Sequence, residues 1–303
     1  MTYFRHALVT SACMVATTFS LHLQAEVSDP PIRLATKKWV SLLDKNLSLW
    51  DTYLSFSHKD SYSGKKPVNA KGEELIPVGY SKNEKNVFSV VEQKGEPVLK
   101  ITGEIYGCVF TKKTYKNYHL KLQVKWGTLK HEPRLNKLKD SGILYHSIGE
   151  GGVDYWRAWM LSQEFQIMEG HIGDYWNIGS SAIDIRAYLP EGKMNSIGSA
   201  NQPFLPFGAS HPEGFCLRSE NYESPADEWT SIELICFEGK SLHVVNGHVV
   251  MVLKDSRYMK DGKAIPLTEG KLQLQSEGSE VYYKNIRLKE LQALPLQYAA
   301  LFN

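Results

Sequence analysis

The run Ile232-Glu233-Leu234-Ile235-Cys236-Phe237-Glu238-Gly239, continuing through Leu242-His243-Val244-Val245 to Asn246-Gly247, decides the fold class of this chain. Apolar and polar residues alternate as on half-buried strands, and each run ends on a dipeptide suited to a tight turn. Asn246-Gly247 is the stronger signal, because a type I′ hairpin needs positive φ at both central positions and Asn-Gly accepts this cheaply. The same alternation recurs in Val98-Leu99-Lys100-Ile101-Thr102 and in Tyr118-His119-Leu120-Lys121-Leu122-Gln123-Val124, with Lys94-Gly95 and Gly103 as punctuation. Long amphipathic helical patterns are nearly absent. Many short antiparallel strands without intervening helices predict an all-β, single-domain sandwich or jelly roll.

Two polar stretches interrupt the strands: 58–85, and 189–227 with Pro190, Pro203, Pro206, Pro212 and Pro225. They are too long for hairpin loops and read as excursions over one edge or mouth of the sandwich, where binding residues are often carried.

The first 25 residues do not belong to this pattern. Arg5 supplies an amino-terminal charge, Ala7 to Leu21 lack charged side chains, and Leu23-Gln24-Ala25 resembles a cleavage site. Thr10, Ser11, Thr17, Thr18 and Ser20 dilute the stretch below what a membrane anchor needs, so residues 1–25 are expected to be a cleaved signal and 26–303 the domain. Export places the protein in the periplasm or outside the cell, with no membrane span after cleavage. The exported part keeps Cys108, Cys216 and Cys236, which allows one internal bridge or three buried thiols.

Composition narrows the function. The chain has 303 residues, 42% of them hydrophobic, with Lys+Arg 35 against Asp+Glu 33 and a formal charge of +2. Disordered, collagenous and disulfide-scaffold classes are excluded. A near-neutral chain has no excess of positive charge to neutralise phosphates, which argues against nucleic acid as a partner.

Chemistry-bearing residues are densest from Lys139 to Arg186. Ser162-Gln163-Glu164-Phe165-Gln166-Ile167-Met168-Glu169 reads as a strand on which period 2 separates Glu164 and Gln166 from Phe165, Ile167 and Glu169. A one-residue bulge near Ile167 or Met168 would return Glu169 to the face of Glu164. The pattern E-x-Q-x-x-E resembles the bulged catalytic strand of laminarinase-type retaining β-glucanases, which carry a carboxylate at the centre. Direct hydrolysis needs two carboxyls about 5–5.5 Å apart for retention or about 6.5–9.5 Å for inversion. Four strand steps span roughly 13 Å, so both side chains would have to lean inward.

Downstream, His171-Ile172-Gly173-Asp174-Tyr175-Trp176 combines an imidazole, a carboxylate and two aromatic faces, a set suited to the C–H faces and hydroxyl rim of a sugar. Trp176, Asp174 and Tyr175, with His146 and Arg186 on the flanking segments, are the candidate substrate-binding residues. His146 and His171 with Glu164 or Glu169 are also candidate ligands for a divalent metal, although their spacing matches no dedicated motif. No P-loop, dinucleotide fingerprint or Gly-x-Ser-x-Gly elbow occurs.

Taken in order, several segments resemble the bacterial 3-keto-disaccharide hydrolase family, whose fold is a concanavalin-like jelly roll. They are Trp39-Val40-Ser41-Leu42-Leu43-Asp44 with Leu47-Ser48-Leu49-Trp50, Gly103-Glu104-Ile105-Tyr106-Gly107, Thr111 to Leu120, Asp140-Ser141-Gly142, Glu164-Phe165-Gln166-Ile167, Val245-Asn246-Gly247, Gly270 to Gly278, and Tyr283 to Leu288. The resemblance runs from Lys38 to Leu291. It implies cleavage of glycosides already oxidised to a ketone at C3, and hence a sugar 3-dehydrogenase as functional partner. A C3 ketone acidifies the C2 proton, so the C1 substituent can be eliminated and water added to the enone. Such chemistry needs a base for C2–H, an acid for the leaving oxygen and donors to the developing enolate. On this reading Glu164 or His171 is the base, Glu169 the acid and Gln166 a neutral donor. The competing expectations are direct β-glucan hydrolysis and a lectin-like module that binds sugar without turnover, which the fold does not separate.

Overall fold

A computed structural model describes residues 38–225 and 227–303; the expected signal at 1–25 lies outside them. The alternating runs become strands, and the turn dipeptides behave as their chemistry requires. Asn246 (φ 47°) and Gly247 (φ 83°) link Val245 directly to its partner His248. Glu238-Gly239 and Lys94-Gly95 close their hairpins in the same left-handed conformation.

In chain order the main strands are β1 (Trp50–Leu54), β2 (Phe88–Gln93), β3 (Glu96–Ile101), β4 (Gly107–Thr111), β5 (Tyr118–Lys130), β6 (Asp140–Ile148) and β7 (Leu161–Met168). There follow β8 (Tyr175–Ile178), β9 (Ser181–Tyr188), β10 (Phe215–Cys216), β11 (Thr230–Phe237), β12 (Lys240–Val245), β13 (His248–Lys260), β14 (Glu269–Ser276) and β15 (Ser279–Glu290). They form two antiparallel sheets, with the order β9-β13-β12-β11-β5-β15-β3-β2 in one and β10-β8-β7-β6-β14-β4-β1 in the other. This is the expected concanavalin-like jelly roll. The second polar excursion is more than a loop: β10 extends one sheet against β8, and Phe204–Gly208 extends the other against β9.

Between the sheets, Ile143, Tyr145, Phe165, Ile167, Leu272 and Leu274 pack on Leu120, Leu122, Val124, Leu234, Val245 and Tyr283. Two polar pairs illustrate how side chains in this layer meet. Ser141 Oγ and Tyr283 Oη lie 2.8 Å apart, and His243 stacks on Phe165 while its Nδ1–H donates to Gly173 O at 3.1 Å. Burial pushes the His243 imidazole down to about 3, so it is neutral. Cys108, Cys216 and Cys236 are buried free thiols, which decides between the two expectations for the cysteines. With Phe165 and Ile167 committed to the core, alternation turns Glu164 and Gln166 onto the opposite, outer face of the second sheet.

Candidate active site

On that outer face the registers line up side chains from neighbouring strands. Glu164 of β7 pairs with Leu144 of β6 and Trp176 of β8, Leu144 pairs with Gln273 of β14, and Gln273 pairs with Phe110 of β4. In the adjacent row Gln166 pairs with Gly142. A Cβ on Gly142 would come within 2.2 Å of Glu164 Oε1 and 2.3 Å of Gln275 Oε1, so the carboxyl and the amide meet over a residue that has no side chain.

Next to them lies a buried acid pair. The guanidinium of Arg134 contacts Glu277 Oε1 at 2.6 Å and also Asp140 Oδ2. Asp140, Glu164 and Glu277 are each at most 4% exposed. Burial, followed by the charges of Glu277, Asp140 and Asp154, drives the Glu164 carboxyl well above the usual carboxylate range. Burial and then Glu277 do the same to Asp140, with Arg134 opposing. Glu277 is also raised by burial, again against Arg134. One guanidinium cannot keep three buried carboxylates ionised in a low-dielectric setting, so the cluster holds protons at neutral pH. Asp140 and Glu277 titrate as a pair.

The cluster is also rich in polar atoms that the protein does not satisfy. Gln275 interacts with Glu164, Tyr106 with Arg134 and Asp140 with Glu277, yet Asp140 Oδ1, the Gln275 amide, Tyr106 Oη and Arg134 Nε find no partner of full hydrogen-bond geometry. His58 belongs to the same wall: its ring lies 4.8 Å from that of Tyr106, its Nε2–H donates to Trp156 O at 2.8 Å, and its Nδ1 is unpartnered. Buried polar groups are normally paired, so these atoms keep hydrogen-bonding capacity that the protein itself does not use.

Beyond this cluster the outer face is covered by residues 149–160. Asp154 accepts the backbone N–H groups of Trp156, Ala158 and Trp159 at 2.7, 2.9 and 2.7 Å, which folds the segment into a compact knot. Trp159 Nε1–H donates to Gly107 O at 2.9 Å, and Trp159 and Met160 pack on Tyr53, Phe110 and Leu144. On the other side Trp176 remains 38% exposed, stacked on Phe215 at 4.6 Å beside Glu164.

The decisive comparison concerns nearly all of the described residues. Residues 38–289 match the model of the 3-keto-alpha-glucoside-1,2-lyase-like domain. The chain belongs to this family. No curated protein matches it. Among solved structures it is similar to a candidate glycosyl hydrolase from Parabacteroides distasonis ATCC 8503 at 18% identity, with 84% of this chain and 100% of that chain covered and a TM-score of 0.44. It is also similar to a Bacillus licheniformis β-glucanase at 12% identity, covering 85% and 99% with a TM-score of 0.40. A third is the carbohydrate-binding module CBM66 from Bacillus subtilis, at 6% identity, 67% and 92% coverage and a TM-score of 0.37.

Within this lyase-like domain the candidate residues read from sequence separate into groups. Glu164, Gln166 and Trp176 sit on the outer face of the second sheet. Glu169 does not join them, because the β6–β7 register runs without interruption through Ile167 and Met168 and no bulge turns it round. Instead its N–H donates to Lys139 O at 3.0 Å and its carboxylate pairs with Lys139 Nζ at 3.4 Å. The bulge lies on the partner strand, where Leu161 opposes Ile148 but Gln163 opposes Tyr145, with His146 at φ 54°. It carries His146 into the core against Tyr118 and Tyr145, where burial lowers the imidazole to about 4.

His171 and Asp174 form a clasp with Arg218, at 3.1 Å between Nδ1 and Oδ2 and 3.0 Å between Asp174 Oδ1 and Arg218 NH1. Tyr175 is a core residue whose hydroxyl donates to Gln163 Oε1 at 2.7 Å. Arg186 lies on the other sheet, where it binds Leu301 O and Gln202 O, each at 2.8 Å, and anchors the carboxy terminus. The structure thus places His146 and Tyr175 in the core and Arg186 on the other sheet, apart from Glu164 and Gln166. The histidines do not converge on the glutamates, and no group of three His, Cys, Asp or Glu side chains suited to a metal occurs among the described residues.

Arg134, Gln275, Glu277, Tyr106 and His58 are absent from the candidates read from sequence, and Asp140 appears there only in a segment that carries the family resemblance. They come from the loop before β6, the end of β14, the residues before β4 and the excursion that starts at His58. The available signal was proximity to glycine: Asp140, Glu277 and Tyr106 stand beside Gly142, Gly278 and Gly107 in segments that carry the family resemblance.

Proposed function

We propose that this protein cleaves 3-keto-glycosides by deprotonation at C2, elimination of the C1 substituent and addition of water to the enone. The observation that carries the reading is the buried Glu164 carboxyl, pushed upward by burial, beside an Arg134-held Asp140/Glu277 pair. Elimination needs an acid and a base in one site, and environments that hold one carboxyl protonated while sharing one charge over two others supply both.

In this scheme Glu164 gives its proton to the departing oxygen. The Asp140/Glu277 pair, carrying about one negative charge against Arg134, takes the C2 proton. The amides of Gln166 and Gln275 donate to the C3 oxygen as enolate charge develops. Glu169 and His171 take no direct part, since one is paired with Lys139 and the other with Asp174 and Arg218. The same placement leaves direct β-glucan hydrolysis without a second carboxylate supplied by Glu169. Trp176, exposed beside Glu164, offers a face for the sugar ring.

On this reading the substrate is made by oxidation of a C3 hydroxyl by a sugar 3-dehydrogenase, and the leader-like segment at 1–25 supports a reaction in the periplasm or outside the cell. The test is incubation of purified protein with 3-keto-trehalose and with trehalose. Release of 3-keto-glucose from the first and no glucose from the second supports the reading. A protein that binds both sugars and cleaves neither would instead be a lectin-like module.

A further inference from the structure

A second concavity, of about 720 Å³, opens at the β1 end of the same sheet face. Tyr53 and Phe56 contribute aromatic surface, and Lys65, Lys66, Glu74 and Arg157 line the rest. Tyr53 stands on β1 and Glu164 on β7, with β4, β14 and β6 between them. Four strand spacings amount to roughly 19 Å, and Trp159 with Met160 fills the intervening surface. The cavity is therefore set well away from Glu164, while Phe56 on its wall stands 6.2 Å from the ring of His58.

Its walls are set in advance. Tyr62 Oη–H donates to Tyr155 O at 2.7 Å and Tyr155 Oη–H donates to Tyr62 O at 3.2 Å, a reciprocal clasp between the two segments that form the cavity. Gly64 lies flat beneath the Tyr155 ring, where a Cβ would approach to 2.6 Å, and Gly151 lies on Tyr53, where it would approach to 2.8 Å. Charge is unbalanced within this frame. Glu74 is held by Lys66 at 2.7 Å, whereas Lys65 and Arg157 form no ion pair among the described residues; Arg157 donates to Gly64 O at 3.2 Å and also bonds the Tyr62 hydroxyl. A near-neutral chain thus concentrates two uncompensated cations around an aromatic floor.

We propose that this cavity is a second saccharide site, selective for an acidic sugar of the hexuronate class. An aromatic face accepts the C–H side of a pyranose ring, and a guanidinium with an ammonium accepts its carboxylate. The volume lies within the range of small-ligand sites. The site is independent of the 3-keto reading, and binding there needs no turnover.

The test is calorimetric titration of the full chain with digalacturonate and with neutral galactobiose, at low and high salt. Digalacturonate is expected to bind, with galactobiose and the Lys65→Ala/Arg157→Ala variant each weaker by about tenfold or more. High salt is expected to weaken the acidic ligand, because exposed charges are screened. Both substituted residues are exposed, and an unchanged circular dichroism spectrum checks that the variant folds. Equal affinity for the neutral sugar, no binding of the acidic one, or indifference to the double substitution overturns the proposal. So does inorganic sulfate binding as tightly as digalacturonate, which would make this a simple anion site. Retained affinity in Glu164→Gln supports a separate site, and its loss would place the ligand in the acid cluster and overturn the proposal.

Discussion

The carboxyl of Glu164 lies across Gly142: a Cβ on Gly142 would fall 2.2 Å from Glu164 Oε1. The glycine makes room for the acid on the neighbouring strand, and a single methyl group must displace it. Gly142→Ala is therefore expected to keep the fold, at a cost of about 1–3 kcal/mol for the crowding. Turnover of 3-keto-trehalose should fall by roughly 10²-fold, since displacements near 1 Å are enough for that. Steady-state kinetics together with a thermal melt separate the two effects. Full activity in a stable Gly142→Ala protein would remove Glu164 from the reaction.

Glu164→Gln keeps the shape of the side chain and removes its proton. Loss of a general acid predicts a fall in kcat of about 10²–10⁴-fold. It also predicts a change in how stability depends on pH. In the folded protein the Glu164 carboxyl stands well above its unfolded value of about 4.3, so the folded state keeps a proton that the unfolded chain has released. The contribution of this group is complete below about pH 4.3 and is lost as pH rises through the raised folded value. Urea midpoints of Glu164→Gln should therefore gain on the wild type as pH increases over that window. Parallel profiles would show that Glu164 is already ionised in the folded protein.

Glu169→Gln should behave quite differently. Its carboxylate is engaged with Lys139 at the end of the strand, away from Glu164. Half-exposed ion pairs of this kind contribute about 0–1 kcal/mol, so kcat and stability should both stay close to wild type. A loss of kcat comparable to that of Glu164→Gln would mean that the hairpin after β7 rearranges when substrate binds and that the glucanase-like pairing of the two glutamates is restored.

His146→Leu tests the assignment of that histidine to the core. Its ring nitrogens are buried without partners, and burial holds the imidazole at about 4. The folded value is depressed, so stability from this group is present above the unfolded value of about 6.5 and is lost as pH falls toward 4. The leucine variant should keep its activity and should gain stability over the wild type as the solution is acidified through that range. Loss of turnover with an intact fold would return His146 to the site.

Much of the fold was legible because strand alternation and turn chemistry are local. Asn246-Gly247 and Glu238-Gly239 announce their hairpins in two residues, and Phe165 and Ile167 announce a buried face that commits Glu164 and Gln166 to the other one. The bulge falls on β6 instead of β7: His146 carries an extra residue against both β7 and β14, a long-range pairing that the local pattern at Ile167 and Met168 does not reveal. Asp174 and Tyr175 are expected to be sugar ligands because their types suit sugars, and the pattern does not show the bonds they make to Arg218 and to Gln163. The acid cluster shows the same dependence on long-range contacts. Arg134, Asp140, Gln275 and Glu277 meet only after β6 and β14 have paired, and no spacing within the sequence announces that a guanidinium will sit between two carboxylates.

The central claim is elimination followed by hydration, and turnover in D2O tests it most directly. If C2–H is removed before water adds, the 3-keto-glucose released from 3-keto-trehalose takes one deuterium at C2 from solvent. Early time points read by mass spectrometry, against free 3-keto-glucose as the control for spontaneous exchange, should show that label with the wild type, while Glu164→Gln should release little product. Product formed by the wild type without deuterium at C2, or trehalose cleaved as readily as its 3-keto form, would contradict the account.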